Sequence, residues 1–395
     1  MGGAVEVRGT DEALNATLKR ALEVQTDETR IFAHVHGFHS YPARLHPDTA
    51  RVLIEQWSQG TDAVLDPFCG SGTVPITARE LGRRALGSDL NPLAVALTRL
   101  KTRGANEVFA DELVEAATQV AEHGRERQKA KLGPTHPYGP EDREAFETYV
   151  LLGLDGLRDG IDRLEREDLA TTLYLVLSAV LTKVSKRRGD SSEGLGEKRL
   201  ARSFAFRFFQ MKTEELSQRL LDYSSLVPNG TPRALIEHTD ARDLHYVRDA
   251  SVRLVVSSPP YPGVYDYYDH HAMRLRWLRM PAEDFLDNEI GTRRGARAAT
   301  NAITRWEQDF VQCLAELHRV LVPGGRAALV LADSVVAGTA YYADEWLPRL
   351  LRQHGFVLRA SASQARPHFH EPTERAFAKK PRREHVIVFD RPIDE

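Results

Sequence analysis

The stretch Ala63-Val-Leu-Asp-Pro-Phe-Cys-Gly-Ser-Gly-Thr73 decides the fold. Its first four residues read as a short buried strand, and the Gly-containing turn from Pro67 to Thr73 leads into a helix that runs to about Leu81. Arg84 to Asp89 is a second strand, and Pro92 starts another helix because proline suits the first helical position. Such alternation predicts a parallel sheet with helices on its faces. Ligands of an open parallel sheet bind beyond the carboxyl ends of the strands, near the point where strand order reverses. Gly70 and Gly72 let backbone approach a ligand closely, and the helix beginning near Thr73 offers free N–H groups to an anion such as a carboxylate.

A Gly-rich turn has other uses. A nucleotide P-loop requires a Lys that this turn lacks. A dinucleotide fingerprint requires a third small residue where Pro75 stands. A plain strand-to-helix turn stays open on this motif alone. Asp89, at the end of the second strand, suits the two hydroxyls of a ribose and equally suits a helix N-cap at Asn91-Pro92.

Outward from this unit, residues 12–30 read as a polar helix. His34 to Pro47 is rich in His, Gly and Pro and reads as irregular, and Asp48 caps a helix carrying Val52, Leu53 and Trp57. After about Gly104 the pattern changes. Residues 105–232 show helical segments, a loop at 133–140 and a break at 189–196, with no strand pairs. Strands return at 234–238, 252–256, 326–331, 355–362 and 385–390, with helices at 306–321 and 341–354. The expected organisation is a doubly wound α/β domain formed by 1–104 and 233–395, interrupted by a helical insertion over 105–232.

The strand Val252–Val256 runs into Ser257-Ser-Pro-Pro-Tyr261. Two prolines cannot continue a ladder, so the chain leaves the sheet rigidly. The carbonyls beside them are free acceptors, and Tyr261 adds a flat apolar face. That combination suits a planar group bearing an amine, although an ordinary rigid loop has the same composition.

Together, Asp66–Thr73 and Ser258–Tyr261 resemble motifs I and IV of the amino-methylating DNA methyltransferases, which methylate cytosine N4 or adenine N6. His39-Ser-Tyr-Pro-Ala-Arg-Leu-His-Pro47 is similar to the family segment that closes over the cofactor's methionine part, and Asp240-Ala-Arg-Asp-Leu244 to the motif that reaches its adenine. The resemblance implies a class I methyltransferase sheet and S-adenosyl-L-methionine as cofactor. It implies cofactor contacts from Tyr41, Pro42, Asp66, Pro67, Phe68, Gly70, Gly72, Thr73, Asp89, Asn91 and Asp240. It implies a catalytic element of Ser258, Pro259, Pro260 and Tyr261, with Tyr261 stacking on a flipped-out base. Serine in the first position of motif IV is typical of the cytosine-N4 enzymes, so the expectation is a DNA cytosine-N4 methyltransferase. Adenine-N6 methylation of DNA, methylation of an RNA exocyclic amine, and a non-catalytic DNA-binding subunit are the alternatives. The insertion takes the place of a target-recognition region, though its helical sequence matches no recognition fold familiar from the family. A cognate restriction or defence-system protein is a further partner the resemblance admits.

Composition bounds the rest. The 395 residues carry 53 Lys+Arg and 56 Asp+Glu, a net charge of −3, which excludes a wholly basic nucleic-acid coat protein but not an enzyme with a local basic face. Between 183 and 212 there are nine basic residues against three acids. Lys186, Arg187 and Arg188 in that patch, with Arg293 and Arg294 after motif IV, are the candidate phosphate contacts, against the bland reading of solvated helix faces. Two cysteines, Cys69 and Cys313, exclude a disulfide scaffold and a cysteine-based zinc site, and point to a reducing cytoplasm. Neither suits the nucleophile of a cytosine-C5 methyltransferase. His34, His36 and His39 lack a regular ligand spacing, so no metal is expected. The longest apolar run, Leu173–Leu181, is far short of the ~20 residues of a membrane span. The first residues carry no basic region followed by an apolar core, so no secretory signal is expected.

Overall fold

The computed structural model describes residues 3–24, 28–186, 200–293, 302–366 and 371–393. Its main sheet contains β1 (Val5–Gly9), β2 (Ala63–Asp66), β3 (Arg84–Asp89), β4 (Leu235–His238), β5 (Val252–Ser257), β6 (Leu321–Ala332), β9 (Val357–Ala365) and β10 (Arg383–Asp390). A separate hairpin of β7 (Ser334–Val336) and β8 (Thr339–Tyr341) follows β6. Strand order in the main sheet is β1-β9-β10-β6-β5-β2-β3-β4. The pairs β2–β3, β3–β4, β2–β5 and β5–β6 are parallel, whereas β10 runs antiparallel to both neighbours and β1 antiparallel to β9. This is the doubly wound order, with β10 inserted antiparallel near the far edge and β1 antiparallel at the edge itself. It is the class I methyltransferase sheet that the resemblance implies. The reversal of order falls between β2 and β5, so the turns leaving those two strands flank one crevice.

The helices are α1 (Glu12–Leu22), α2 (Pro47–Trp57), α3 (Thr73–Glu80), α4 (Pro92–Arg103), α5 (Glu107–Lys129), α6 (Thr148–Asp162), α7 (Glu167–Val184), α8 (Phe204–Leu226), α9 (Tyr267–Trp277), α10 (Glu283–Asn288), α11 (Ala302–Val320) and α12 (Ala343–Gln353), besides shorter turns. Alternation along each strand splits the core into two layers. Val64, Leu254, Val256 and Ala328 face α1, α2 and α3. Leu65, Val255, Ala327 and Leu329 face the Trp306, Phe310 and Leu314 side of α11 and the Trp346, Leu347 and Leu350 side of α12.

Residues 105–186 and 200–232 are helical with no strand, as expected for the insertion. The insertion does not bury itself alone. Leu113, Leu154, Leu177 and Phe206 share one apolar cluster with Phe38, Leu93 and Leu97 from the N-terminal half and with Met273 and Trp277 of α9. No helix among the described residues is long and apolar enough to cross a membrane.

Several boundaries differ from the sequence expectation. The helix expected over 12–30 is α1 as far as Leu22, with a separate short helix at Glu28–Ile31. Strand β1 is unexpected, because VEVRG carries only two apolar residues and is ordered by pairing with β9. His46, not Asp48, caps α2: Pro47 takes the first turn, and the His46 Nδ1 accepts the Asp48 N–H at 3.1 Å. Strand β6 starts at Leu321, five residues before the expected 326, so it takes in Pro323-Gly-Gly325.

Candidate active site

The turn after β2 is held from behind by α4. The Thr98 hydroxyl donates to the Gly70 carbonyl at 2.9 Å, and the buried Lys101 Nζ donates to the Ser71 carbonyl at 3.1 Å. Gly72 has φ +96°, and a Cβ there would lie 2.9 Å from Thr98 Oγ1 and 3.3 Å from its Cα. No side chain fits that contact, so glycine is what lets the turn pack on α4. The turn's N–H groups are thereby fixed before any ligand arrives.

Asp66 lies beneath the turn. Its Oδ1 accepts the Phe68 N–H at 3.1 Å and the Ser257 hydroxyl at 2.6 Å, joining the strand that carries the first turn to the one that carries the second. Burial pushes its carboxyl up to about 7, although both bonds pull the other way. The folded chain therefore holds this proton more tightly than the unfolded chain, where Asp titrates near ~3.9. The resulting stabilisation is complete below about pH 4 and is lost as pH rises through 7. Denaturant midpoints of the intact protein are thus expected to fall relative to Asp66→Asn across that range. A difference that stays constant with pH would remove Asp66 as the titrating group.

Asp89 ends β3 with its carboxylate at the crevice. One oxygen accepts the Gly70 N–H at 2.9 Å and the other the Asn91 N–H at 2.9 Å. The cap of α4 is Asn91, whose side chain accepts the Leu93 N–H at 3.0 Å. Asp89 is therefore not the cap. Burial pushes its carboxyl up to about 6.

The segment after the short 34–37 helix forms a roof. Tyr41 Cε1 would be 3.4 Å from a Cβ on Gly70, its hydroxyl accepts from Asn91 Nδ2 at 3.2 Å, and its ring stacks on His271 at 4.7 Å. Beneath this roof is an open cleft of about 670 Å³. Tyr41, Pro42, Pro67, Phe68, Gly70, Asp89, Asn91, Asp240, Ser258 and Pro260 all line it. Two turns almost two hundred residues apart in sequence meet there because β2 and β5 are neighbours.

Thr73, Pro259 and Tyr261 are not among the residues lining this cleft. Thr73 lines a second, open pocket of about 480 Å³ with His36, Arg44 and His46, where the Arg44 guanidinium near the start of α3 suits a carboxylate. Pro259 is buried. The Tyr261 ring packs against the apolar layer that contains Trp306, and its hydroxyl lies 3.2 Å from the Ser258 hydroxyl and 3.5 Å from the Val330 carbonyl. Trp306 Nε1–H donates to the Pro260 carbonyl at 3.3 Å, fixing the motif from below. Asp240 is paired with Arg242 at 2.6 Å, and Arg242 also reaches Asp309 and the Asn288 carbonyl.

Sequence reasoning missed one wall. Tyr267, Phe285, Asn288, Glu289 and Ile290 line the same cleft as Ser258 and Pro260. Glu289 holds the start of α9, accepting the Tyr267 N–H at 2.6 Å, and the Gly263 N–H donates to the Gly291 carbonyl at 2.9 Å. The run of tyrosines at 265, 267 and 268 just after motif IV is the one sequence signal for this wall.

Of the candidate phosphate contacts, Lys186 pairs with Glu147 at 3.0 Å, and Arg293 follows the Glu289–Ile290 wall. Arg187, Arg188 and Arg294 lie outside the described residues. Ligand-capable atoms of His34, His36 and Glu80 converge within 4.8 Å, but Glu80 is already paired with Arg51. His39 is not part of that group. Both cysteines are buried, and burial pushes each thiol up, so neither is a ready nucleophile.

The donor set around the turn suits S-adenosylmethionine: a carboxylate for ribose hydroxyls, N–H groups and the Arg44 guanidinium for a carboxylate, and an aromatic roof. Residues 16–99 match a DNA methylase family model. The Type II methyltransferase M.MvaI of Kocuria varians is 24% identical over 272 residues, covering 63% of this chain and 58% of that protein. M.BsoBI of Geobacillus stearothermophilus is 24% identical over 278 residues, covering 62% and 52%. The chain spans little more than half the length of these two relatives. A SAM-dependent methyltransferase structure from Methanosarcina mazei aligns over 86% of this chain and 97% of its own at 11% identity, with a TM-score of 0.35. Likeness that faint leaves the fold to be read from strand order.

Proposed function

We propose, from a chain related to the amino-group DNA methyltransferases, that the protein transfers a methyl group from S-adenosyl-L-methionine to the N4 amine of a flipped-out cytosine in DNA. The observation that carries this reading is the meeting of Asp89 and Gly70 with Ser258 and Pro260 in one cleft. The cofactor supplies an electrophilic methyl on a sulfonium. Asp89 takes the ribose hydroxyls, Asp240 faces the adenine end, and Tyr41 with Pro42 covers the methionine part. The Arg44 pocket at the α3 start takes the carboxylate.

The acceptor amine is conjugated with its ring and is a poor nucleophile. The Ser258 hydroxyl and the Pro259 carbonyl accept its two hydrogens and draw the lone pair onto nitrogen. Proximity supplies most of the acceleration. No strong base is needed, because the proton leaves to water after transfer. Tyr261 orients Ser258 through its hydroxyl, while Tyr267 offers a ring to the extruded base beside Ser258 and Pro260. DNA is the partner on this reading, gripped through Arg293 and the basic segment of the insertion. A cognate restriction or defence-system protein sharing the target sequence is part of the same proposal.

The test is to express the protein in cells free of DNA modification, digest their nucleic acids to nucleosides and weigh them. N4-methylcytosine in DNA is the expected product. N6-methyladenine would overturn the base assignment and keep the mechanism. Modified RNA alone would overturn the substrate class, and no modified nucleoside would favour a non-catalytic binding subunit.

A further inference from the structure

Helix α9 begins six residues after Tyr261 and presents three residues along one face at positions i, i+4 and i+7. Tyr267 lines the cleft, His271 stacks on the roof residue Tyr41, and Arg274 lies one turn deeper, 1% exposed. The Arg274 guanidinium bonds in two directions. Its Nη2 donates to the Ser40 hydroxyl at 3.0 Å and to the Thr182 hydroxyl at 2.7 Å, and its Nε donates to the Ser178 carbonyl at 3.3 Å. Ser40 precedes Tyr41 in the roof, whereas Ser178 and Thr182 belong to α7 of the insertion.

His39 completes the knot. It is buried, and burial beside Arg274 lowers its basicity well below the usual imidazole range, so the ring is neutral. Its Nδ1–H donates to the Ser40 carbonyl at 2.7 Å, which leaves Nε2 to accept the Ser178 hydroxyl at 3.0 Å. Two consecutive roof residues are thus tied to two residues one turn apart on an insertion helix, with one guanidinium between them. Buried groups bonded in this manner order one another, and releasing one end leaves the other without its partner.

We propose that Arg274 is a positioning residue for the cofactor, locking the roof at Ser40-Tyr41 onto helix α7, so that the insertion serves cofactor binding as well as any reading of the target. The inference rests on the cofactor reading given above. Its particular consequence is that a change on α7, outside the cleft lining, weakens cofactor binding.

The measurement is calorimetric titration of the full chain with S-adenosylhomocysteine, with thermal melting as the control for folding. Thr182→Val keeps side-chain shape and removes only the hydroxyl on the insertion side; Ser40→Ala removes the one on the roof side. Each is expected to weaken binding about fivefold, the scale of one hydrogen bond, with melting nearly unchanged. The double variant should lose little more than either alone, because both act through one guanidinium. Arg274→Lys, which keeps the charge without the fork, should resemble the single variants. Unchanged affinity in Thr182→Val, or a loss confined to Ser40→Ala, overturns the proposal. No binding by the intact protein overturns the cofactor reading itself, which separates the two failures.

Discussion

Ser258→Ala is expected to lower the rate of methyl transfer about a hundredfold, or ~2.7 kcal/mol of barrier, while affinity for S-adenosylhomocysteine stays within about twofold. As the amine nitrogen bonds to carbon it gains positive charge, and its hydrogens become stronger donors. An acceptor at Ser258 therefore binds the transition state more tightly than the ground state, the condition under which an interaction raises turnover. Ser258 lines the cleft, and its hydroxyl has a neighbour in the Tyr261 hydroxyl at 3.2 Å, so alanine leaves the turn intact and removes the acceptor. Single-turnover assays that weigh methylated nucleosides give the rate. A rate within threefold of the intact protein would take Ser258 out of the chemistry.

Asp89→Asn is expected to weaken S-adenosylhomocysteine binding by about 1–3 kcal/mol. Two effects combine. The ribose hydroxyls lose a charged acceptor, and an amide NH₂ must face either the Gly70 N–H or the Asn91 N–H, both of which now meet a carboxylate oxygen. The same residue imposes a pH dependence. With its carboxyl pushed up to about 6, Asp89 is the accepting carboxylate above that pH and protonated below it. Affinity should be flat above pH 7 and fall about tenfold per unit well below 6, a slope absent in Asp89→Asn. Calorimetry between pH 5 and 8 decides it, and equal slopes in the two proteins would sink the assignment.

How much of this was legible depended on how local each signal is. Asp66–Thr73, Asp89 and Ser258-Pro259-Pro260 declare themselves because strand, turn and helix cap are consecutive, and their meeting follows from the parallel order. The wall of Tyr267, Glu289 and Ile290 did not, since it comes from a stretch without periodicity that reaches the cleft through the Glu289 cap and the Gly263–Gly291 bond. Tyr261 looked like a free aromatic face. Its ring is half-buried and packs against the layer that contains Trp306, a contact that no local pattern reveals. Lys186 reads as a phosphate contact, and the structure adds its Glu147 partner from before α6. The insertion read as a separate unit on periodicity alone, which says nothing of the apolar cluster it shares with Leu93, Leu97 and Trp277.

The strand order also sets a schedule for biosynthesis. Val64 pairs with Leu254 and Leu65 with Val255, so β2 must wait for about 190 more residues before its β5 neighbour exists. At translation rates of about 5–20 residues per second that is roughly 10–40 s. Throughout it, the nascent β2–β3 ribbon exposes a bare hydrogen-bonding edge made of Ala63-Val-Leu-Asp66. Strand β1 waits longer still, since Val5 pairs with Gln364. The helical insertion emerges during that interval, and its Leu113 and Leu154 pack in the cluster that holds Leu93 and Leu97. It covers the apolar face of α4, and not the bare strand edge, until the second half of the strands arrives.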